Sequence, residues 1–416
     1  MKKKNVFVTT ILVICSFLLG VWTTNTFGSS KKEYDERVNV FLEIYDTLKE
    51  NWYYGDEETL DKVMESVYSS IYDYNVDPYT YFTAAPIEGV EEEKTYGIGI
   101  VAALNYDLEQ VNYSNPVLNE LGILVIKTYE NSPSYNAGLK VLDYIVGVYE
   151  NNKYLPFEGM NYLDIRQYLV GKLDSKSTYK VKRNEEFIDV EITRNAYKLQ
   201  TATLNNSYKE IYPNSEVLEI EEFAESTGNE VSNLLKTIKN TKEKDLVIDL
   251  RDNPGGYVYS MANVASCFLK AGLPVLTYED KDGNKYTAEK TNGKTIYEFN
   301  SITVLINGNS ASASEALTLC LDYYQEYLNA FQVVGTTSYG KGIAQTTINL
   351  SNGASLKYTF AKVYDPGGEE SIHQKGITPD IEIPLEKYTN GDALSYYTSK
   401  YNQLKEAVRL GVILGE

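Results

Sequence analysis

The chain has 416 residues, 43% of them hydrophobic, which is enough for two or three domains with separate cores. Its 39 basic and 58 acidic residues give a net charge of −19, which argues against binding to nucleic acid or to an anionic membrane surface, although solubility alone also explains it. The three cysteines suggest neither a disulfide framework nor a metal cluster, and Cys267 and Cys320 are expected to be buried apolar residues. No metal and no organic cofactor is predicted.

The N-terminus has the pattern of an export signal. Three lysines at positions 2–4 precede an uncharged, mostly apolar run at 6–22, and a polar segment follows to residue 30. The run is short for a bilayer span and long for a signal-peptide core, and no clear small-x-small cleavage site follows it. Residues 1–30 are therefore predicted to be a single-pass anchor, with secretion as the alternative if the segment is cleaved. The basic end should stay in the cytoplasm, which places the rest on the extracytoplasmic face of a bacterial membrane.

Residues 31–88 are predicted to form a helical region. Apolar residues recur at three- and four-residue steps from Val38 to Trp52 and again from Leu60 to Ile71, which indicates two amphipathic helices joined near Gly55. Two short helices cannot bury both apolar stripes alone. They are expected to pack on another surface, either the rest of the chain or a second copy in a homodimer.

Residues 89–195 show the alternating apolar pattern of short strands with one late helix, so a small β-rich domain is predicted. Tyr96, Gly97, Ile98 and Gly99 precede the first strand, and a turn at 132–139 lies in the middle. This order resembles a PDZ domain. The resemblance implies that a peptide C-terminus binds by strand addition, with its carboxylate on backbone amides of the loop at 96–99. The alternative is a β-rich domain that only packs against the rest of the protein.

Residues 196–390 alternate strands and helices and predict a mixed α/β core. Strand-like segments at 217–220, 246–250 and 302–306 are interleaved with helix-like segments, and the last strand leads into a helix at 312–324. Two further strands are predicted to pair across the turn at 351–353. Residues 391–416 are predicted to be a C-terminal helical tail.

A candidate nucleophile lies where a buried strand turns through Asn307-Gly308-Asn309 into the next helix. Ser312 at such a strand end would be exposed, and the positive end of the helix dipole would stabilise an oxyanion beside it. The sequence Ser312-Ala313-Ser314-Glu315 also fits a capping box, in which the hydroxyl only satisfies a helix amide. Taken alone, Ser312 is better explained as a helix cap.

Two glycine-containing segments favour the catalytic interpretation. Asn253-Pro254-Gly255-Gly256 follows a strand, and paired glycines let backbone amides approach a ligand as an oxyanion hole requires, although a plain strand-end turn would look similar. Lys341 lies between two glycines. Most lysines are solvated, but a desolvated amine can be neutral and act as a base near pH 7. Gln345, four residues on and on the same face of a predicted strand, could hold that amine in position.

Together with Asp77-Pro78-Tyr79-Thr80 and Gly376-Ile377-Thr378-Pro379-Asp380, these segments resemble the C-terminal processing peptidases, also called tail-specific proteases. The resemblance covers residues 34 to 384 approximately. It implies an α/β serine protease core with an inserted PDZ-like domain and an N-terminal helical hairpin, acting on protein C-terminal tails. Carried over to the matching motifs, it implies the following site: Ser312 as nucleophile, Lys341 as general base, Gln345 as the residue that orients the base, and the amides of Gly256 and Ala313 as the oxyanion hole.

One departure and two rival functions stay open. Between Ser312 and Lys341 the chain is a few residues longer than the family pattern, around 322–330, and a longer helix is expected to absorb the difference. A non-catalytic protein could capture tails on the same scaffold without cutting them. A hydrolase could instead use His373, the only histidine of the chain, as its base.

Overall fold

The computed structural model describes residues 36–52, 56–70, 76–85, 95–106, 117–386 and 393–416. The chain divides into two compact units, 1–84 and 85–416. The predicted anchor at 1–30 lies outside the described residues, and no helix within the described ranges is both long and apolar enough to cross a bilayer.

The first unit contains two helices and a short strand: α1 (Glu36–Asn51), α2 (Glu57–Ser69) and β1 (Tyr81–Thr83). Asp56 begins α2 as its N-cap, because its carboxylate accepts a hydrogen bond from the Thr59 amide at 2.7 Å. Among the described residues, α1 buries no side chain and α2 buries only Leu60. The apolar stripe of α1 is exposed: Ile44, for example, has 55% of its surface accessible.

Residues 96–193 form a β-rich domain. Its elements are β2 (Tyr96–Gly97), β3 (Ile100–Tyr106), β4 (Leu118–Thr128), α3 (Pro133–Asn136), β5 (Tyr144–Glu150), β6 (Lys153–Pro156), α4 (Tyr162–Leu169), β7 (Val170–Gly171), β8 (Lys176–Arg183) and β9 (Glu186–Thr193). The main sheet has the order β3-β4-β5-β8-β9 and is antiparallel, with β6 paired to β5, while β2 and β7 pair separately. Its core is built on alternate, fully buried side chains such as Ile123, Ile145 and Val181. Strand β3 is therefore an edge strand that begins directly after the 96–99 loop.

The remaining elements form the core. They are β10 (Ala202–Leu204), β11 (Ser215–Ile220), α5 (Thr227–Leu235), β12 (Asp245–Asp249), α6 (Val258–Ala265), β13 (Pro274–Glu279), β14 (Lys285–Lys290), β15 (Ser301–Ile306), α7 (Ala313–Tyr323), β16 (Phe331–Gly335), β17 (Ile343–Asn349), β18 (Ser355–Tyr364), β19 (Ile381–Glu382) and α8 (Ala393–Gly415), with short 3₁₀ turns at Thr241–Glu243 and Gln325–Tyr327. One sheet has the order β10-β11-β12-β15-β16-β19 and is parallel from β11 to β19. A second sheet contains β17, β18, β13 and β14 in antiparallel pairs. The predicted mixed α/β fold is confirmed.

The parallel sheet is covered on both faces. Leu246 and Ile248 of β12 point into the cluster formed with α5, α6 and α7, whereas Val247 points into a second cluster with Leu404 and Val408 of α8. A strand covered on both faces is buried along its whole length, as all six residues of β15 are, including the polar Ser301 and Thr303. Helix α8 therefore forms one layer of the core, whereas the sequence predicted only a C-terminal helical tail.

The longer stretch between α7 and β16 is only partly helical. Helix α7 ends at Tyr323, within one residue of the predicted end, and the residues after it form a 3₁₀ turn instead of more helix. Tyr324 is only 8% exposed, because it packs into the main core cluster.

Candidate active site

Three motif segments follow the carboxyl ends of three neighbouring parallel strands. Residues 253–256 follow β12, residues 307–312 follow β15 and residues 338–341 follow β16. The carboxyl ends of parallel strands meet at one edge of a sheet, which is where ligands bind in open α/β folds. The topology therefore brings together residues that are far apart in the sequence.

The three serines of the 310–314 run differ in how available they are. Ser310 and Ser314 are fully buried, and their hydroxyls donate to backbone carbonyls, of Leu250 at 2.8 Å and of Asn253 at 2.9 Å respectively. Ser312 is half-buried. Ser312 is therefore the serine of this run that a substrate could reach, while its two neighbours hold the loop together.

The backbone of Ser312 has an unusual conformation. Its φ of 59° and ψ of −114° lie outside the extended region in which ordinary N-cap residues are found. A non-glycine residue in such a region costs about 1–3 kcal/mol and persists only where its surroundings hold it, commonly at functional sites. The Glu315 carboxylate supplies one constraint, because it accepts a hydrogen bond from the Ser312 amide at 2.8 Å. That half of the predicted capping box is formed, but on a strained backbone that a simple cap does not require.

Glu315 has a larger role than the sequence suggested. It is fully buried, and its Oε1 accepts from the Ser338 hydroxyl at 2.5 Å and the Gly340 amide at 2.7 Å. Its Oε2 accepts from the amides of Ser312 at 2.8 Å and Lys341 at 2.9 Å. One carboxylate thus fixes the backbones of the candidate nucleophile and the candidate base. Sequence reasoning assigned Glu315 only a helix cap, because its partners at 338–341 follow a different strand.

The paired glycines lie against the nucleophile loop. Gly255 has φ of +103°, and a Cβ there would lie 2.7 Å from Ser312 Cβ and 2.8 Å from the Ala313 nitrogen. Gly256 has φ of +139°, and a Cβ there would lie 2.3 Å from the Phe223 carbonyl oxygen. Only glycine fits either position. The Gly255 amide already donates to Asn253 Oδ1 at 2.9 Å, which leaves the amides of Gly256 and Ala313 as the predicted oxyanion donors.

Asn253 is a second supporting residue that sequence reasoning missed. It is fully buried, and its side-chain amide donates to the Ile220 carbonyl at 2.8 Å. Its own carbonyl accepts from the Ala311 amide at 3.0 Å and from the Ser314 hydroxyl at 2.9 Å. It therefore joins the glycine turn to the nucleophile loop. An Asn-x-Gly sequence at the end of a buried strand was the available signal.

The glycines beside Lys341 admit another part of the chain. A Cβ at Gly340 would lie 2.9 Å from the Gly376 nitrogen, and one at Gly342 would lie 2.5 Å from the His373 nitrogen. Lys341 itself is half-buried. The segment at 373–376, which includes the start of the predicted Gly376–Asp380 motif, therefore packs directly beside the candidate base.

Gln345 lies in β17, which begins two residues after Lys341. A register shift lies between Ala344 and Gln345, and its extra residue is in the partner strand β18. The Gln345 amide nitrogen donates to the Thr359 hydroxyl at 3.3 Å. Its role in orienting the base stays a prediction.

His373 is placed close enough to matter as a rival. Its backbone lies directly against Gly342, and its Nδ1 is buried with no hydrogen-bond partner among the described residues. Burial and the nearby Lys362 ammonium both lower the pKa of the imidazole. A neutral imidazole therefore lies beside the Lys341 segment.

Neither described cysteine suits nucleophilic chemistry. Burial raises the pKa of the Cys267 thiol to about 11 and that of Cys320 to about 12. Thiols become nucleophilic as thiolates, so both are inert. The prediction that they are buried core residues is confirmed.

The predicted peptide-binding loop is fixed by two serines. The Ile98 carbonyl accepts from the Ser134 amide at 2.8 Å, and the Gly99 carbonyl accepts from the hydroxyls of Ser132 at 3.1 Å and Ser134 at 2.8 Å. Tyr96 and Gly97 form β2 and pair with β7. In the described part of the chain, no contact of this loop with the segments around Ser312 is seen.

The chain is similar to known serine proteases. Residues 216–383 match the model of peptidase family S41. This segment is therefore similar to a family S41 peptidase domain. It is 25% identical over 415 residues to a "Probable CtpA-like serine protease" of Staphylococcus epidermidis, covering 98% of this chain and 78% of that protein. A Staphylococcus aureus protein of the same description is 26% identical over 388 residues, covering 92% and 72%.

A solved structure from Bacteroides fragilis, described as an S41 protease, is similar with a TM-score of 0.52 and 12% identity, covering 90% of this chain and 99% of that one. At this identity the likeness shows the fold alone. The family match and the relatives confirm the predicted resemblance, and they make the protein a serine-type peptidase. The rival of a non-catalytic scaffold is set aside by this assignment.

Proposed function

We propose that this S41 peptidase is an endopeptidase in which Ser312 is the nucleophile, Lys341 the general base and Gln345 the residue that orients the base. The observation that carries the proposal is the Glu315 carboxylate, which accepts from the amides of both Ser312 and Lys341. Two catalytic groups must be held in a fixed mutual geometry for proton transfer, and one buried carboxylate provides it.

The reaction follows from these positions. The neutral Lys341 amine takes the proton of the Ser312 hydroxyl while Ser312 Oγ attacks the substrate carbonyl carbon. The oxyanion that forms is stabilised by the amides of Gly256 and Ala313. The Lys341 ammonium then gives its proton to the leaving amine as the peptide bond breaks, which leaves an acyl-enzyme on Ser312. Water hydrolyses that ester with Lys341 again acting as base, and the free enzyme returns.

Substrate tails are assigned to the β-rich domain, which we propose acts as a PDZ-like binding domain for the C-termini of exported or membrane proteins. Edge strand β3 supports this, because an edge can accept an added strand. The Ile98 carbonyl faces Ser134, so the amide of the same peptide group, on Gly99, points the opposite way. That amide is then available to a terminal carboxylate.

Location and assembly are part of the same proposal. The apolar run at 6–22 would anchor the protein with its peptidase domain outside the membrane, and the S41 relatives named above are bacterial. The exposed apolar stripe of α1 supports a homodimer through the N-terminal helices. Chemical crosslinking from a cysteine placed on α1 would test the dimer.

The nucleophile assignment is tested by three matched serine variants. Ser312→Ala should abolish peptide hydrolysis and leave the fold intact, because only the attacking oxygen is lost. Ser310→Ala and Ser314→Ala should keep measurable turnover with reduced stability, since each removes a buried hydrogen bond worth about 1 kcal/mol. Full activity of folded Ser312→Ala, or selective inactivity of Ser310→Ala or Ser314→Ala, would overturn the assignment.

A further inference from the structure

Asp252 lies immediately before the glycine turn and connects it to the nucleophile loop. Its amide donates to Asn307 Oδ1 at 3.0 Å, and its Oδ1 accepts from Asn307 Nδ2 at 2.8 Å and from Asn309 Nδ2 at 2.9 Å. Asp252 also has a left-handed φ of 61°. Its carboxylate is therefore a rigid link between the two backbone segments that carry the proposed oxyanion hole and the proposed nucleophile.

The other oxygen of Asp252 is bound by the C-terminal helix. Lys400 of α8 donates from its ammonium to Asp252 Oδ2. The preceding residue, Arg251, holds the same helix, because its guanidinium donates to the Lys400 carbonyl at 2.6 Å and to Gln403 Oε1 at 3.2 Å. Helix α8 is thus attached to the end of β12 at two consecutive residues.

The ionisation of Asp252 depends on this attachment. Burial opposes the charged form, but the Lys400 ammonium and the two asparagine amides outweigh it and lower the pKa of Asp252 to about 2. The carboxylate is therefore charged at any pH at which a peptidase works. The side chains of Lys400 and Asp252 are 24% and 33% exposed, so solvent only partly replaces either partner.

We propose that Lys400 and Asp252 are positioning residues through which the C-terminal helix holds the nucleophile loop and the glycine turn in their catalytic arrangement. The inference rests on the proposed function, in that Ser312 and the Gly256 amide are taken to act on the substrate. Neither Lys400 nor Asp252 touches the reacting atoms. Without the Lys400 charge, the carboxylate keeps the two asparagines and the Tyr396 hydroxyl of the same helix, none of which carries a positive charge. The loop carrying Asn309 then loses its fixed distance from the turn.

The test compares two lysines of the same helix in the full-length protein. Lys400→Met removes the link, and Lys405→Met makes the same change at an exposed position of α8. Because displacement of catalytic groups by about 1 Å can cost roughly 100-fold in rate, Lys400→Met should lower kcat on a small ester substrate by about 10- to 100-fold.

The KM should stay within about threefold. Inactivation by a fluorophosphonate, which reports the reactivity of the serine, should slow in parallel with kcat. Lys405→Met should match the wild type, and Lys400→Arg, which retains the charge, should recover most of the activity.

Loss of stability is separated from loss of position by two further measurements. Rates are expressed per serine titrated with the inhibitor, so unfolded molecules do not count. Asp252→Asn, which keeps the side-chain shape, should show the same fall in kcat. The double variant of Asp252→Asn with Lys400→Met should fall little further, because both substitutions break one link.

The outcomes distinguish this inference from the proposed function. If Lys400→Met and Asp252→Asn both keep kcat within twofold while Ser312→Ala is inactive, the positioning role is wrong and the nucleophile stands. If the fall in kcat of the double variant equals the product of the two single falls, the positioning role is also wrong. If Ser312→Ala is as active as the wild type, the proposed function itself fails. If Lys400→Met does not fold, the kcat of Asp252→Asn and of Lys400→Arg decides.

Discussion

The strand-end site of the core and the 96–99 loop of the β-rich domain are both made of backbone groups held by buried polar side chains, but they are held differently. In the core, Glu315 binds backbone amides of the segments after β15 and β16, and Asn253 joins the end of β11 to the nucleophile loop. In the β-rich domain, two neighbouring hydroxyls of Ser132 and Ser134 hold the carbonyl of Gly99.

This difference has an energetic meaning. A buried carboxylate that accepts four hydrogen bonds leaves four donors unsatisfied when it is lost, and hydrogen bonds to charged groups are about twice as strong as neutral ones. A hydroxyl-to-carbonyl bond is worth about 1 kcal/mol. Disturbing the core site should therefore lower the catalytic rate by orders of magnitude, whereas disturbing the 96–99 loop should change peptide affinity several-fold. Such a split is expected when one region does chemistry and the other recognises the substrate.

The largest effect is expected from Lys341→Arg. A guanidinium stays charged at all accessible pH values and cannot accept the proton of Ser312, so hydrolysis should fall by at least about 1000-fold. The wild type should gain activity with rising pH along a single ionisation, as the amine loses its proton. Peptide hydrolysis by both proteins between pH 5 and 10 provides the measurement.

His373→Gln is the matched control for the base. Its imidazole lies beside the same segment, and its buried Nδ1 makes it the rival that the structure favours most. The variant should keep activity within about threefold if Lys341 is the base, since general-base catalysis is typically worth 100-fold or more. An active Lys341→Arg enzyme beside an inactive His373→Gln enzyme would reverse the assignment.

The second effect concerns the frame that joins nucleophile and base. Glu315→Gln keeps the shape, but its amide nitrogen cannot accept, so two of the four donors lose their acceptor. We expect kcat to drop by about 10- to 100-fold with a small change in KM, because the reacting groups move and the peptide-binding loop does not. Steady-state kinetics with a short peptide gives both constants.

Ser338→Ala serves as the control for Glu315. It removes one donor from the same carboxylate and leaves the amides of Ser312 and Lys341 bound. Its kcat should lie between those of the wild type and Glu315→Gln. An unchanged kcat in Glu315→Gln, with a folded protein, would mean that the carboxylate supports only stability.

The sequence located the candidate site residues but not the framework that holds them. Ser312 and the glycine turn were singled out because strand-end glycines and a serine at a helix start are local patterns. The role of Glu315 was missed because its partners at 338–341 are joined to it only by the neighbouring positions of β15 and β16 in the sheet. The same limit applies to Lys400, whose partner Asp252 is 148 residues away.

A smaller effect is expected in the β-rich domain from Gly99→Ala. Gly99 has φ of +80°, and a Cβ there would lie 2.4 Å from Ser132 Cβ, so the loop must move. In the inactive Ser312→Ala background, affinity for a free-acid peptide should fall about tenfold, and amidation of the peptide should weaken binding by a similar factor. Gly138→Ala is the control, because it also has positive φ in this domain but no atom lies within 4 Å of the added Cβ. Equal affinity for acid and amide peptides would leave the domain with a structural role only.

The smallest effect is a pH dependence of stability that belongs to His373. Because burial and Lys362 lower its pKa in the folded protein, the unfolded chain takes up a proton more readily. The contribution of His373 to stability is therefore complete above the ordinary histidine pKa of about 6.5. It is lost as the pH falls from there through the folded-state value.

The melting temperatures of two proteins are compared between pH 8 and pH 5: Ser312→Ala, and Ser312→Ala that also carries His373→Gln. The Ser312→Ala substitution prevents self-cleavage in both. Acidification should lower the melting temperature of the histidine-containing protein more than that of the His373→Gln protein. Carboxylates titrate equally in both proteins and cancel from the difference. Parallel curves would show that the imidazole is solvated, and would remove the main physical reason for keeping it as a rival base.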